Sequence, residues 1–246
     1  MLSIILYCFS EVCGYNHGNE VFVILSFISQ TALFQGCSKE DILNMSEHLS
    51  FRTDRYGKGS VIFSAGSVVT DIGLVLSGSV RIEHTDLWGN KSILGIIPVG
   101  SVFAESYACI PNEPMMVDAV ANDDCDVLFI NVPSLFIPCP VCGSQNRLIQ
   151  NLVMISAGKN LQLSRRSLHT SPKTIRGRLL SYFSQQVSTQ GSSKIVIPFD
   201  RQQLADYLNL DRSALSKELG KMRQDGLIEY NKNTFEIKID CGYPFH

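Results

Sequence analysis

Residues 199–219 have the sequence Phe-Asp-Arg-Gln-Gln-Leu-Ala-Asp-Tyr-Leu-Asn-Leu-Asp-Arg-Ser-Ala-Leu-Ser-Lys-Glu-Leu, and residues 226–235 continue as Gly-Leu-Ile-Glu-Tyr-Asn-Lys-Asn-Thr-Phe. Asp200 with Gln203 three positions later is a capping box, which is typical of the start of a helix. Asn209 and Leu210 form a tight turn, because Asn tolerates a positive φ. Asp211 caps a second helix, and a β-hairpin follows. The pattern predicts a helix-turn-helix with a wing.

The second helix of this motif is predicted to have two faces. Leu215, Leu219 and Met222 recur at i, i+4 and i+7, so they are expected to face inward. The opposite face, near the start of the helix, carries four polar residues: Arg212, Ser213, Ser216 and Lys217. A helix-turn-helix places such early positions in the DNA major groove. The alternative is an ordinary helical hairpin with a solvated charged face.

Charge is distributed unevenly along the 246 residues. Residues 165–240 contain 13 Lys and Arg against 8 Asp and Glu, whereas the preceding residues contain 8 against 15. The formal net charge of −2 therefore combines a balance of +5 with one of −7. A basic C-terminal third fits nucleic-acid binding, since neutralising phosphates supplies most of the non-specific affinity.

Cysteine usage and hydropathy limit the class of protein. The 8 cysteines are scattered, whereas a secreted disulfide scaffold is shorter and has its cysteines closer together. No apolar run of about 18 residues occurs, so neither a transmembrane helix nor a membrane partner is predicted. We expect a cytoplasmic protein. The sequence has no nucleophile–base arrangement, so no catalytic residue and no enzyme activity are predicted.

Residues 52–130 have the pattern of short strands separated by glycines. Apolar segments such as Ile72-Gly-Leu-Val-Leu76 and Asp126-Val-Leu-Phe-Ile130 are divided by turn residues every 8 to 12 positions. This spacing predicts a β-sandwich or a double-sheet roll. Rolls of this kind either bind a ligand inside or are filled by their own core.

A long helix is predicted over residues 146–167, followed by a second one over 174–187. Leu148, Leu152 and Ile155 form an apolar stripe at i, i+4 and i+7 in the first. The stripe suggests heptad pairing with a second copy, and packing against the rest of the same chain is the alternative.

The order of these parts resembles the Crp/Fnr family of bacterial transcription regulators over about residues 30–238. The glycine framework of residues 56–59 and 76–81, the segment Gly100-Ser-Val-Phe-Ala-Glu105 and the helix-turn-helix of 201–219 carry the resemblance. It implies an α+β fold. An N-terminal double-stranded, jelly-roll-like β-roll of the cyclic-nucleotide-binding type forms the sensor domain, and a long dimerisation helix and a C-terminal winged helix-turn-helix follow.

The resemblance also implies an organisation and partners. We expect an extension of unknown role at 1–22, the sensor domain at 23–143, the dimerisation helix at 144–170 and the DNA-binding domain at 171–240. The expected function is sequence-specific transcription regulation by a homodimer on a palindromic operator in double-stranded DNA. RNA polymerase is a candidate partner.

The departures from the family concern the effector. In members that bind cyclic AMP, a Glu binds the ribose hydroxyl, and an Arg-Ser or Arg-Thr pair ten residues later binds the phosphate. The Glu aligns with Glu105, but the pair aligns with Met115-Met116. Because a buried phosphate without a cation carries a large desolvation cost, cyclic AMP is disfavoured. Either the two thioethers line a pocket for a less charged small molecule of unknown identity, or the pocket is closed.

The family's DNA-contacting positions carry over one by one. Arg212, Ser213 and Lys217 align with its base-contacting positions, and Ser213 lacks the carboxylate that accepts from cytosine. Three further residues align with phosphate-contacting positions or lie in the wing turn: Arg201, Gln202 and Lys232. Contacts of this second kind set register rather than sequence preference.

Three alternatives stay open at this point. Cys139 and Cys142 form a C-x-x-C pair that is either a dithiol redox switch or two cysteines in a proline-rich connector. A DNA-binding dimer with a ligand-free scaffold roll would need no effector. A cupin-like metalloenzyme would need several His ligands, but His84 is the single His between residues 52 and 137, so neither a metal site nor a cofactor is predicted.

Overall fold

The structure, a computed structural model, describes residues 19–86, 88–138 and 144–238. Cys139, Cys142 and the first 18 residues of the predicted extension lie outside these ranges. The chain divides into two compact units, with the boundary between Ala157 and Gly158. This boundary falls inside the long helix rather than at either of its predicted ends.

The first unit contains two antiparallel four-stranded sheets, in the orders β1-β8-β3-β6 and β2-β7-β4-β5. The strand bounds are β1 Arg52–Tyr56, β2 Val61–Phe63, β3 Asp71–Ser77, β4 Ser79–Thr85, β5 Lys91–Pro98, β6 Val102–Phe103, β7 Asp118–Ala121 and β8 Cys125–Asn131. The predicted double-sheet roll is therefore confirmed.

Aromatic rings fill the space between the two sheets. Phe63 packs with its ring centroid 5.9 Å from that of Phe103 and 5.6 Å from that of Phe129. Gly73 on β3 is required by this packing, because a Cβ at that position would lie 2.3 Å from the Phe103 ring. The register that pairs Gly73 with Phe103 thus depends on the missing side chain.

Helices flank the roll and cover a second core. The first unit contains α1 Asn19–Ile28, a 3-10 turn Ala32–Phe34, α2 Lys39–His48, α3 Glu105–Ala108, α4 Val132–Leu135 and the start of α5 Gln145–Thr170. Helix α1 begins inside the predicted extension. Leu148 and Leu152 of α5 are buried in the core under these helices. Much of the apolar stripe predicted on α5 therefore packs against its own chain.

The second unit combines the end of α5 with three further helices and a small sheet. Their bounds are α6 Ile175–Gln190, β9 Lys194–Val196, α7 Arg201–Leu208, α8 Arg212–Gln224, β10 Ile228–Asn231 and β11 Thr234–Ile237. The sheet has the order β10-β11-β9 and is antiparallel. Phe183 of α6 packs 4.8 Å from Phe235 of β11, measured between ring centroids. The predicted winged helix-turn-helix is confirmed. The strand β9, which pairs with the wing hairpin, was not predicted from the sequence.

The buried carboxylate of Glu83 forms ion pairs with two cations on the hairpin formed by β4 and β5. The Glu83 side chain is 3% exposed, and its carboxylate oxygens lie 2.7 Å from Arg81 Nε and 2.7 Å from Lys91 Nζ. Hydrogen bonds from Arg81 and then Lys91 lower the pKa of Glu83 below its ordinary value. Because the folded-state pKa is the lower one, this stabilisation is complete above the ordinary glutamate pKa and is lost as pH falls through the lowered one.

We therefore expect Glu83→Gln to reduce the free energy of unfolding at neutral pH and to flatten its decline in acid. Urea unfolding from about pH 3 to pH 7 measures both effects. The exposed Glu113 provides the control, since Glu113→Gln removes a carboxylate without a buried pair. A Glu83→Gln chain with the acid dependence of the wild type would contradict this assignment.

Candidate nucleic-acid interface

The helix-turn-helix is built by two capped helices and one left-handed residue. Asp200 Oδ1 accepts from Gln203 N at 2.8 Å, and Gln203 Oε1 accepts from Asp200 N at 2.9 Å, which completes the predicted capping box. Asn209 has φ 54° and ends α7, and Asp211 accepts from Ala214 N at 2.9 Å. The chain therefore reverses between the two helices without strain from a β-branched or bulky residue.

Helix α8 exposes the polar face that the sequence predicts. Leu215, Leu219 and Met222 are fully buried in the core of the second unit. The four polar residues near the start of the helix are all exposed: Arg212, Ser213, Ser216 and Lys217. One guanidinium, one ammonium and two hydroxyls thus lie within two turns of the same surface. Arg212 and Lys217 can donate to guanine acceptors and to phosphate oxygens.

Ser213 is engaged in the cap of its own helix. Its hydroxyl donates to Asp211 Oδ1, and this bond, followed by that from Ala214 N, lowers the pKa of the Asp211 carboxyl. The Ser213 oxygen then retains lone pairs but has no proton to donate outward. In this state Ser213 can accept from the amino group of cytosine or adenine.

Gln202 and Lys232 lie at the surface, as expected for groups that contact the DNA backbone. Gln202 is exposed on the first turn of α7, where its amide donates to Asp206 Oδ1 at 2.9 Å. Lys232 is exposed in the turn between β10 and β11 and has φ 51°. The left-handed backbone makes the tight turn possible and leaves the side chain at the tip of the wing.

Arg201 has a different environment from these two residues. It is half-buried, and its guanidinium carbon lies 5.1 Å from the Tyr230 ring centroid and 4.9 Å from that of Phe235. The side chain thus packs on the aromatic face of the wing. The sequence pattern grouped Arg201 with the exposed phosphate-contacting positions and gave no sign of this packing.

Two further arginines, which no sequence motif marks, bind the end of α7. Arg166 donates to the carbonyls of Asp206 and Tyr207 at 3.0 and 3.1 Å, and Arg178 donates to those of Leu208 and Asn209 at 3.1 and 2.9 Å. The last carbonyls of a helix lack intrahelical partners and form its negative end. The two cations therefore fix the turn that orients α8.

Helix α5 has an exposed apolar seam that differs from the predicted stripe. Met154, Leu161 and Leu168 recur every seven residues and are 71%, 57% and 66% exposed. Between the first two lies Gly158, where an added Cβ would meet nothing within 4 Å. Seven-residue spacing of apolar side chains is the pattern of paired helices. We call Met154, Leu161 and Leu168 the α5 seam.

The three residues aligned with the cyclic-nucleotide site are placed in different environments. Glu105 is buried at the start of α3, directly after Ala104 with φ 63°. Met115 is 3% exposed, whereas Met116 is 71% exposed. Of the two thioethers, Met115 is thus the one that can contribute to an interior wall, and Met116 faces solvent.

Two classes of feature are absent from the residues described. Within 19–86, 88–138 and 144–238, no three His, Cys, Asp or Glu side chains are grouped so that they could hold a metal ion. Over the same ranges, no helix combines the length and the hydropathy that crossing a bilayer requires.

Comparison with known families matches both units. The family model of the cyclic nucleotide-binding domain matches residues 53–136, and the family model of the Crp-like helix-turn-helix domain matches residues 177–239. A curated relative, the cyclic AMP receptor protein of Thermus thermophilus, is 23% identical over 214 residues, which cover 84% of this chain and 92% of the relative.

Solved structures share the fold at low sequence identity. CprK complexed with OCPA is 16% identical, with a TM-score of 0.54 over 76% of this chain and 86% of that one. The cyclic di-GMP-responsive global regulator CLP of Xanthomonas campestris is 17% identical, with a TM-score of 0.50 over 81% of this chain and 99% of that one.

Proposed function

Because the chain belongs to the Crp/Fnr family of transcription regulators, we propose that it acts as a homodimer on a palindromic operator in double-stranded DNA. Crp-like helix-turn-helix proteins bind DNA, and α8 is the element that would enter the major groove. A bacterial regulator of this kind has to bind the chromosomal DNA, which lies in the cytoplasm, so we assign the protein to the cytoplasm. Its function depends on binding and requires no catalytic group.

The exposed polar face of α8 is the main observation that supports DNA binding. Arg212 is positioned at the first residue of the helix and Lys217 lies five residues later, with Ser213 and Ser216 between them. Arg212 can form bidentate hydrogen bonds with guanine O6 and N7, and Lys217 can donate to the same acceptors. Ser213 can accept from adenine as well as from cytosine, so we expect the half-site to differ at this position from the one usual in the family.

The α5 seam supports the homodimer. Three large apolar side chains more than half exposed along one face of a 26-residue helix are costly in water. Pairing with the seam of a second copy would remove them from water, and Gly158 would let the two backbones approach closely. Two DNA-binding units joined in this way would place their α8 helices in successive major grooves of the operator.

Cyclic AMP is not the effector that we propose. In the alignment with members that bind cyclic AMP, the phosphate-binding Arg-Ser pair corresponds to Met115 and Met116. Of these two residues, Met115 is buried and Met116 faces solvent. Neither thioether can neutralise a phosphate. A less charged small molecule bound near Glu105 and Met115 would act by population shift, favouring the arrangement in which both α8 helices match the operator.

A constitutive DNA-binding dimer is the second candidate function. The rings of Phe63, Phe103 and Phe129 pack between the two sheets, which favours a roll that acts as a scaffold. Operator affinity is measured with and without cyclic AMP and cyclic di-GMP. This measurement distinguishes a nucleotide sensor from both candidate functions, the regulator with a less charged effector and the constitutive dimer. We expect no change with either nucleotide, and a tightening of about tenfold with cyclic AMP would contradict the assignment of Met115 and Met116.

The DNA-binding proposal is tested by selection from a library of random-sequence duplexes. The purified chain should enrich a motif, and its affinity for the enriched duplex should exceed that for a shuffled duplex by at least about 10³-fold. Selection under reducing and oxidising conditions also tests the Cys139/Cys142 switch, because a redox switch predicts recovery in one state alone. Equal affinity for the enriched and the shuffled duplex would contradict the proposal.

Lys232→Ala is expected to weaken binding to all duplexes by a similar factor. The ammonium at the wing tip would neutralise one phosphate, so its loss should reduce the slope of log K against log salt by about one. Fluorescence anisotropy on the enriched and the shuffled duplex measures both quantities. Lys58→Ala, which removes the same charge from an exposed position in the other unit, should leave the slope unchanged. A slope that responds equally to both changes would assign the effect to net charge.

A further inference from the structure

The wing contacts an arginine from each helix of the helix-turn-helix. Arg201 begins α7, and its guanidinium carbon lies 5.1 Å from the Tyr230 ring centroid. Arg223 belongs to the last turn of α8, and its guanidinium carbon lies 5.6 Å from the centroid of the same ring. Cations within about 6 Å of an aromatic ring centroid are attracted by the ring's quadrupole. Tyr230 therefore links the wing to both helices.

The environment of Arg201 is that of a group used inside the fold. Its Nη1 is buried and makes no hydrogen bond within the part of the chain that the structure describes. Burial also lowers the pKa of the guanidinium. An arginine that binds phosphate presents its N–H groups at the surface in a bidentate fork. Here the guanidinium is instead stacked on Tyr230 and Phe235.

Arg223 adds a second attachment at the same strand. Its Nε lies 2.9 Å from Glu229 Oε2, directly before Tyr230 on β10. The end of α8 therefore contacts β10 through an ion pair and through the Tyr230 ring. Two residues beyond Tyr230, the chain turns at Lys232. The position of the lysine relative to α8 depends on these contacts.

We infer that Arg201 and Arg223 position the wing by clamping the Tyr230 ring, so that Lys232 reaches a phosphate while α8 occupies the groove. In this role Arg201 is a positioning residue and makes no phosphate contact of its own. The inference rests on the proposed DNA-binding function.

The salt dependence of binding distinguishes a positioning role from a direct one. The probe is a shuffled duplex, and the chains are wild type, Arg201→Gln, Lys232→Ala and the double variant. Each single variant should reduce the slope of log K against log salt by about one, and the double variant should lose no more than either. If Arg201 bound phosphate directly, the two losses would add to about two. Additive losses therefore overturn the inference.

Hydrogen exchange in the DNA-free chain tests the clamp without DNA. Tyr230→Leu removes the ring that both arginines cover, and we expect amides of β10 and β11 to exchange about tenfold faster. Tyr230→Phe keeps the ring and should exchange like the wild type, while amides of α6 stay unchanged in both variants. Unaltered wing exchange in Tyr230→Leu would overturn the clamp.

The DNA-binding and hydrogen-exchange measurements distinguish failure of the proposed function from failure of the inference about the wing. A wild-type chain that enriches no motif and binds no duplex of the library would contradict the proposed function and, with it, the role of Lys232 at a phosphate. The wing exchange would still report whether Arg201 and Arg223 hold Tyr230. A binding chain with additive slopes would contradict the inference alone.

Discussion

Leu161→Lys is expected to convert the chain into a monomer and to reduce operator affinity to the non-specific level. Leu161 is the central residue of the α5 seam and is 57% exposed in the single chain. Pairing of two seams would bury it against its counterpart, and a lysine there would place two like charges in an apolar interface. Because one half-site alone remains, affinity should fall by at least about 10³-fold.

Sedimentation velocity gives the oligomeric state, and anisotropy on the enriched duplex gives the affinity. Leu163→Lys is the matched control, since Leu163 is also exposed but lies on the opposite face of α5, two residues from Leu161. The control should remain dimeric. A dimeric Leu161→Lys chain with wild-type affinity would show that the seam is not the interface.

Arg212→Ala is expected to remove the preference for one base pair in each half-site. A bidentate arginine–guanine contact contributes about 1–3 kcal/mol of discrimination, so affinity for the enriched duplex should fall by roughly 5- to 150-fold per contact. Affinity for the shuffled duplex should fall much less. Repeating the library selection with the variant measures the preference directly, and an unchanged motif would contradict the placement of α8 in the groove.

Arg212→Lys separates charge from geometry at the same position. Lysine keeps the positive charge but lacks the planar fork that matches guanine O6 and N7. We expect this variant to keep the salt slope of the wild type and to lose most of the base preference. Retention of the full preference would mean that Arg212 acts through charge alone.

The helix-turn-helix could be predicted because its signals are local. Asp200, Gln203, Asn209 and Asp211 each act on backbone groups within three residues, so the sequence contains both partners of each interaction. The exposed face of α8 followed from the spacing of Leu215, Leu219 and Met222. For these capping residues, prediction and structure agree because each partner lies within one turn.

Features that depend on distant partners could not be predicted in the same way. An arginine at the first turn of a helix has the same sequence pattern whether it points to solvent or, as Arg201 does, to an aromatic strand some thirty residues later. The apolar stripe that contains Leu148 and Leu152 predicts that these residues are buried, but it does not identify the surface that buries them. In the structure they pack in the core of the first unit. The α5 seam is recognised from the exposure of Met154, Leu161 and Leu168 in the folded chain.

Hydroxyl-radical footprinting of the enriched duplex tests the central claim most directly. A homodimer that places both α8 helices on one side of the operator should protect two backbone patches. We predict that they are related by two-fold symmetry, with centres about 34–36 Å, or one helical turn, apart. A single protected patch, or two patches repeated in the same direction, would contradict the dimeric regulator.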